Sequence, residues 1–302
     1  DWIDPAQPLM LRAFDIRTKD AGLYRDRVGA SAPPERLMMA PKTWPVLQRA
    51  RKAEQYLLAR ADFREYPDLW TGTRVDQITR ISDAMPEQKD YRWGNVRLHR
   101  WLNSDGVPME GLLYTPEGFD PSKQYAMLVY FYEQLSDNLH QYHRPAGRNI
   151  INPSVYTSLG YVVFMPNIHY TPGYPGPSSV KSIVPGVQSL IAQGFVDPKR
   201  VGISGQSWGG YQTSYIITQT NIFAAAVPNA TVVNMTSAYG GIRWESGVER
   251  AIVNYERGQS RIGGSLWEYP ERYMENSPLF FLDRVTTPVL FMANDNDGAV
   301  PW

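Results

Sequence analysis

The pattern of hydrophobic and polar positions changes along the chain at about residue 90. Before that point, short aromatic and aliphatic runs alternate with charged or turn-rich stretches, as at residues 9–14, 55–60 and 68–71. This spacing is typical of short antiparallel strands in a propeller or a sandwich. Residues 41–45 and 83–86 have the composition of linkers, and the domain boundary is expected near residue 90. The pattern predicts an all-β segment over residues 1–90, although no internal repeat identifies a propeller within it.

From residue 91 the pattern becomes an alternation of strands and helices. Apolar runs that predict buried strands lie at residues 125–132, 161–165, 224–227 and 288–292. Residues 96–102 and 108–114 predict a hairpin, and residues 182–193 have apolar positions at helical spacing. Buried strands that alternate with helices form mostly parallel sheets covered on both faces. We therefore predict an α/β domain with a doubly wound sheet over residues 91–302.

Composition narrows the function mainly by exclusion. The 302 residues are 43% hydrophobic and 20% charged, with 30 basic and 30 acidic side chains and no cysteine. Because the basic and acidic side chains balance, the chain has no net positive charge that would attract nucleic acid. Because it has no cysteine, a thiolate nucleophile is excluded. No apolar run approaches the ~18 residues of a membrane helix, and no His/Asp cluster has metal-ligand spacing. We expect no metal, no cofactor, no nucleic-acid partner and no membrane span.

The strongest chemical signal is a G-x-S-x-G motif, since residues 205–211 read G-Q-S-W-G-G-Y between a strand pattern and a helix pattern. In such an elbow the serine sits on a sharp, strained turn, and only glycine fits two residues before and after it. The motif predicts acyl transfer through Ser207. A serine nucleophile also needs a base and a carboxylate that orients the base.

The acid and the base are expected after Ser207, because this fold carries its triad in the order Ser, Asp, His. Two carboxylates, Asp295 and Asp297, follow the strand predicted at 288–292, and both qualify by type. All four histidines of the chain precede Ser207, and among them His169, which follows a predicted strand, fits the role of a base better than the other three. We therefore expect the base beyond Trp302. Both ends look cut, which favours a piece of a longer protein.

The residues around the elbow resemble the prolyl oligopeptidase family of serine peptidases, with the dipeptidyl-peptidase-IV-like branch nearest. Residues 205–211 are similar to its G-x-S-x-G-G-Y signature, residues 197–203 to the segment before it, and residues 297–301 to its D-x-x-V-P loop. The resemblance covers residues from about 90 to the end and, more loosely, the first ninety. It implies an α/β-hydrolase domain preceded by short antiparallel strands from the end of a β-propeller.

The same resemblance implies roles for single residues. Ser207 is similar to the nucleophile and Asp297, rather than Asp295, to the orienting acid. Tyr132 matches a side-chain oxyanion donor, and the backbone N–H of Trp208 would be the second donor. The implied substrate-binding residues are Tyr211, Val232, Met235 and Val300.

The implied function is a serine peptidase that hydrolyses short peptides through an acyl-enzyme, with this chain alone inactive for want of its base. The resemblance favours the periplasm or the medium over the cytoplasm and is compatible with a homo-oligomer. Proline preference and the choice between aminopeptidase and endopeptidase stay open. Two alternatives remain: an esterase on the same fold, and a non-catalytic binding protein that lacks the base.

A glycine-bearing stretch between residues 239 and 264 precedes the last predicted strand. Arg243 or Arg261 within it is able to bind a peptide carboxylate bidentately. A structural ion pair is the favoured interpretation for each.

Overall fold

The computed structural model describes residues 4–5, 7–146 and 150–301, so the two ends that look cut, at Asp1-Trp2 and Trp302, lie outside the described residues. It divides into two compact units. The first comprises Asp1–Asn95 and Asp137–Arg144, and the second comprises Val96–Ser136 and Pro145–Trp302. Nothing in the sequence pattern indicates that the short segment Asp137–Arg144 joins the first unit.

The first unit contains two antiparallel sheets. One has the order β1-β2-β3, with β1 at Leu9–Phe14, β2 at Ala21–Asp26 and β3 at Glu35–Ala40. The other has the order β4-β5-β6-β7, with β4 at Thr43–Arg49, β5 at Tyr56–Ala61, β6 at Asp68–Arg74 and β7 at Gln77–Arg80. A 3₁₀ turn at Pro86–Asp90 follows. The predicted short antiparallel strands are confirmed.

The linker predicted at residues 41–45 is wrong. The strand β3 ends at Ala40 and β4 begins at Thr43, so only a tight turn separates them. Pro45 lies inside β4, where the register with β5 is irregular between Thr43 and Val46. A proline without an N–H is tolerated there because β4 is the edge strand of its sheet.

The segment Asp137–Arg144 is tied to the first unit by charge and by stacking. The ammonium of Lys19, which is buried, lies 2.9 Å from Asp137 Oδ1. The ring of Tyr142 stacks on Trp93 with 5.4 Å between centroids. These contacts explain why a polar stretch that interrupts the sequence of the second unit belongs to the first unit.

The second unit is built on a six-stranded mixed sheet of order β13-β12-β10-β11-β9-β8. Its strands are β8 at Asn95–Leu102, β9 at Pro108–Thr115, β10 at Tyr125–Tyr130, β11 at Val162–Pro166, β12 at Val196–Gln206 and β13 at Ala225–Asn229. Four of them, β11, β10, β12 and β13, are parallel, and β9 is antiparallel to β11. The predicted mostly parallel α/β sheet is confirmed.

The helices of this unit are α1 at Pro153–Ser158, α2 at Pro175–Ile191, α3 at Trp208–Gln219, α4 at Met235–Ala238 and α5 at Pro270–Glu275. Shorter 3₁₀ segments lie at Ser136–Asn138 and Pro278–Arg284, and a π-helical turn at Ala251–Glu256. Every residue of β11 is buried, which requires cover on both faces of the sheet. No helix among the described residues has the length and apolar character that a membrane crossing needs.

The helix predicted at 182–193 begins earlier than expected, at Pro175. Proline suits the first turn of a helix because its φ is already helical and its missing N–H needs no partner there. The following serines, which look like loop residues in sequence, are buried and return their hydroxyls to the previous turn. Ser179 Oγ, for example, donates to Gly176 O at 2.7 Å.

Residues 288–292 run along the sheet as predicted, but the prediction that they are buried is wrong. The segment lies parallel to β13 through bridges at Val289 and Met292. Leu290, Phe291 and Met292 are nevertheless 61%, 50% and 47% exposed. An apolar run with strand propensity fits an edge position as well as a central one, and here β13 is its only sheet neighbour among the described residues.

Candidate active site

The residues predicted for catalysis follow adjacent strands at the same edge of the sheet. Tyr132 follows β10, Ser207 follows β12 and Val232 follows β13, and these three strands are parallel. Asp297 follows the segment at 289–292, which also runs parallel to β13. The carboxyl ends of parallel strands meet at one edge, where open α/β sheets bind their ligands.

Ser207 occupies the strained turn that the motif predicts. Its φ is 56° and its ψ is −113°, at the junction between β12 and α3. A non-glycine residue at positive φ is uncommon, and such strain persists only where the surrounding structure holds it. Here the Ser207 N–H donates to Asn229 O at 2.9 Å, and Ser207 O accepts from the N–H of Tyr211 at 2.9 Å.

The two motif glycines are required by close backbone approaches. A Cβ at Gly205 would lie 2.2 Å from the carbonyl oxygen of Gly209. A Cβ at Gly209 would lie 2.6 Å from the carbonyl oxygen of Phe131, which follows β10. Because backbone atoms cannot move aside as a flexible side chain can, the turn admits no larger residue.

We expect Gly205→Ala to displace Ser207. Overpacking of this kind costs about 1–3 kcal/mol of stability, and a shift of about 1 Å at the nucleophile costs about 10²-fold in its reactivity. Thermal unfolding and the rate of fluorophosphonate labelling of the full-length protein measure the two effects. Gly240→Ala is the matched control, because its Cβ would meet nothing within 4 Å. Equal behaviour of the two variants would contradict the explanation.

Asp297 is held by the backbone that follows it. Its Oδ1 accepts from the N–H groups of Ala299 and Val300 at 2.9 and 2.8 Å. Asp297 is half-buried, whereas Asp295 is exposed. The loop therefore fixes the carboxylate of Asp297 near Val300, and it leaves Asp295 in solvent.

Several predicted residues line one small pocket around the serine, called here the Ser207 pocket. Its volume is about 30 Å³, and its walls include Ser207, Trp208, Val232 and Val300. Gln259 also lines it, and Gln259 Nε2 donates to the hydroxyl of Tyr132 at 3.4 Å. The structure thus brings four predicted residues to one pocket, and it links the Tyr132 hydroxyl to that pocket through Gln259.

Tyr211 and Met235 lie beneath the pocket rather than on its surface. Both are fully buried in an aromatic cluster that includes Trp208 and Tyr273. The ring of Tyr211 stacks on Trp208 with 4.5 Å between centroids, and burial raises the pKa of Tyr211 well above its usual value. Their contact with substrate stays a prediction, and in this structure they support the wall that Trp208 forms.

Tyr170 is a support that the sequence pattern does not reveal. Its hydroxyl accepts from Trp208 Nε1 at 3.0 Å and from Gln212 Nε2. Burial raises the pKa of Tyr170, so the hydroxyl stays protonated. Arg261 lies over the Tyr170 ring at 4.3 Å and pairs with Glu133 at 2.8 Å. The favoured interpretation of Arg261 as a structural ion pair agrees with this geometry.

None of the four histidines lines the Ser207 pocket. His99 is buried, and its burial lowers its pKa to about 4. His143 is likewise held neutral, because burial lowers its pKa to about 4. His140 contacts backbone in the first unit, and His169 is exposed. Within the described residues no group of three or more His, Asp or Glu side chains is placed to hold a metal ion.

A family profile and a curated relative both match the chain, and both describe peptidases. Residues 149–302, about half of the chain, match the profile of the prolyl oligopeptidase family. The sequence is 25% identical over 263 residues to dipeptidyl-peptidase 5 of Porphyromonas endodontalis, covering 81% of the chain and 35% of that protein. The chain therefore spans about a third of the length of this relative.

Solved structures show the same fold. The acylaminoacyl peptidase of Pyrococcus horikoshii superposes with a TM-score of 0.72 at 15% identity, over 97% of this chain and 45% of that one. A puromycin-hydrolyzing peptidase of Mycobacterium tuberculosis gives a TM-score of 0.71 at 19% identity, again over 97% of this chain and 45% of that one.

Proposed function

The chain belongs to the prolyl oligopeptidase family, and from this premise we propose that it carries the nucleophile of a serine peptidase that hydrolyses short peptides. One observation carries the proposal. Ser207 sits at φ 56° in a pocket with Val232 and Val300, at the same sheet edge as Tyr132 and Asp297. This arrangement supports acyl transfer, in which a nucleophile and its electrostatic partners must surround one carbonyl carbon.

The proposed reaction has two steps. Ser207 Oγ bonds to the carbonyl carbon of the scissile peptide while its proton passes to the base, and the base then protonates the departing amine. Water hydrolyses the resulting ester by the same route in reverse, which releases the acid product and restores the serine. Asp297 orients the base and stabilises its charged form.

The negative oxygen of each intermediate requires donors that are already in place. The N–H of Trp208 opens α3, and the first N–H groups of a helix have no intrahelical acceptor. Tyr132 supplies the second donor in this proposal, since its ring lies against the elbow. A Cβ on Gly209 would lie 3.7 Å from its Cδ2.

Tyr132→Phe removes that hydroxyl and little else. We expect kcat to fall about 10²- to 10³-fold, because the charge arises only in the intermediate, while KM changes little. Steady-state kinetics of the full-length protein provide the measurement. Tyr130→Phe on the same strand is the control and should retain activity. A change confined to KM would argue against the oxyanion role.

The base is proposed to be a histidine in the part of the full-length protein outside these 302 residues. Two facts support this: no histidine of the chain lines the Ser207 pocket, and the chain covers 35% of the relative described above. On the same grounds we propose that residues 1–90 are the last part of a β-propeller and that residues 91–302 belong to the α/β-hydrolase domain.

The test uses a fluorophosphonate probe and two substrate panels. We expect labelling at Ser207 in the full-length protein, with turnover of aminoacyl and acylpeptidyl coumarin amides. The 302-residue chain alone should not label, and strong labelling of it would point to His169 as the base. Turnover of nitrophenyl esters with no amide turnover would replace the peptidase proposal with an esterase. Absence of labelling in the full-length protein would refute both.

A further inference from the structure

The stretch at residues 239–264 contains a buried arginine, Arg250, whose N–H donors its surroundings satisfy only in part. Arg250 is only 5% exposed. Its Nε and Nη2 atoms are buried and have no hydrogen-bond partner among the described residues. A guanidinium carries five N–H donors and stays charged, so burial without acceptors is unfavourable. The acceptors for these two atoms must therefore come from outside the described residues.

No carboxylate of the described chain neutralises this charge. Arg261, from the same stretch, pairs with Glu133 at 2.8 Å. In the ranges 4–5, 7–146 and 150–301, neither Arg250 nor Arg243 forms an ion pair with any side chain, so the interpretation of Arg243 as a structural ion pair is wrong. Both nevertheless line the Ser207 pocket. Two positively charged side chains therefore line the pocket of Ser207, and neither has an ion-pair partner among the described residues.

The backbone holds Arg250 in place before any ligand arrives. Its N–H donates to Gly241 O at 3.1 Å, and its carbonyl accepts from the N–H of Asn254 at 2.8 Å. Burial raises the pKa of Tyr255, and the adjacent Arg250 guanidinium partly opposes that rise. Tyr255 also lines the Ser207 pocket. A fixed guanidinium loses little entropy when it binds, which favours recognition of a planar anion.

Arg250 stands where the Ser207 pocket opens into a larger space. A cavity of about 530 Å³ adjoins the pocket, and Val232, Arg250 and Val300 line both. Tyr132 lies on the other side of Ser207, because β12 is flanked by β10 and β13 in the sheet. A substrate whose carbonyl oxygen turns toward Tyr132 therefore directs its side chain past the two valines to Arg250.

We propose that Arg250, assisted by Arg243, determines specificity by binding a substrate carboxylate within one residue of the scissile bond. An aspartate or glutamate at the residue whose carbonyl Ser207 attacks fits the site: its methylenes pack on Val232 and Val300, and its carboxylate meets the guanidinium. The inference rests on the proposed peptidase function for its substrate, but binding tests it without turnover.

The experiment measures binding to full-length protein that carries Ser207→Ala, so that no peptide is cleaved. The probes are acetyl-alanyl-glutamyl methylamide and its glutaminyl isostere, titrated by calorimetry. We expect the glutamyl peptide to bind about 10- to 100-fold more tightly. Adding Arg250→Met should bring the two dissociation constants within about threefold of each other. The same ratio should appear in kcat/KM of the matching coumarin amides when Ser207 is intact.

Arg257→Met is the matched control, since it removes an exposed positive charge from the same stretch. It should keep the glutamyl preference. Arg250→Met should not lower the melting temperature, because replacing a buried charge with an apolar chain of similar size is often neutral or stabilising. If Arg250→Met destabilises the fold and weakens both peptides equally, Arg250 is structural and the proposal is wrong.

Further outcomes distinguish a side-chain carboxylate from a chain-terminal one. They also distinguish failure of this inference from failure of the peptidase proposal. Acetyl-alanyl-alanine against its methylamide tests a free chain-terminal carboxylate, and preference for the acid there alone would assign Arg250 to the chain terminus. If Ser207 labels and peptides turn over with no preference for either carboxylate, this inference fails and the peptidase proposal stands. If Ser207 never labels, the peptidase proposal fails, and the binding ratio alone decides the role of Arg250.

Discussion

Ser207→Ala should abolish turnover in the full-length protein, with kcat lower by about 10⁵- to 10⁶-fold. The variant loses only the Oγ atom that forms the acyl ester, so no other side chain can complete the reaction. Fluorophosphonate labelling, read by mass spectrometry, should vanish from the peptide that contains residue 207. Residual turnover above about 1% would mean that another group attacks the carbonyl.

The fold should survive this change, which makes the loss interpretable. The strained backbone at residue 207 is held by main-chain hydrogen bonds to Asn229 and Tyr211, and these do not involve the hydroxyl. Ser204 provides a control on the same strand, because its Oγ donates to Val227 O at 2.9 Å, within the sheet. We expect Ser204→Ala to lose about 1 kcal/mol of stability and to retain activity.

The elbow could be predicted because its constraints fix residue types at set spacings. A Cβ at Gly205 would lie 2.2 Å from Gly209 O within the turn, and a Cβ at Gly209 would lie 2.6 Å from Phe131 O on the neighbouring chain segment. Both close approaches demand glycine, so the sequence alone shows them. The parallel sheet could be predicted for a similar reason, since strands covered on both faces must be continuously apolar, as β11 is.

The burial of individual side chains is harder to predict than the strands themselves, because burial depends on which segments pack beside them in the fold. Residues 288–292 have the composition of a central strand, yet Leu290 and Phe291 are exposed because β13 pairs with them on one side. Met235 is buried beneath the Ser207 pocket, which its residue type does not indicate, and its contact with substrate stays a prediction. In each case the residue type fits two environments, and only the tertiary fold selects one.

Arg250 is the opposite case, a charged residue that the fold buries. A charged residue in a glycine-bearing stretch normally lies in solvent, so the sequence alone does not mark Arg250 as a buried residue of the site. The bond from its N–H to Gly241 O and the π-helical turn at Ala251–Glu256 bury it instead. Conflict between a local preference and the folded environment is expected at functional sites.

Asp297→Asn should lower kcat by about 10⁴-fold while KM and the melting temperature stay close to those of the parent protein. Asparagine keeps the shape of the side chain, and its amide oxygen can still accept from the N–H groups of Ala299 and Val300, so the loop should hold. In the proposed mechanism, the variant loses the negative charge that orients the histidine and stabilises its protonated form. Steady-state kinetics of the full-length protein measure the effect.

Asp295→Asn is the matched control, because both carboxylates follow the same extended segment two residues apart. Asp295 is exposed, and Asp297 is half-buried with two backbone donors on Oδ1. A carboxylate that orients a base must itself be fixed, so only Asp297 meets the geometric requirement. A 10⁴-fold loss at Asp295 with little loss at Asp297 would exchange their roles, and small losses at both would place the acid elsewhere in the full-length protein.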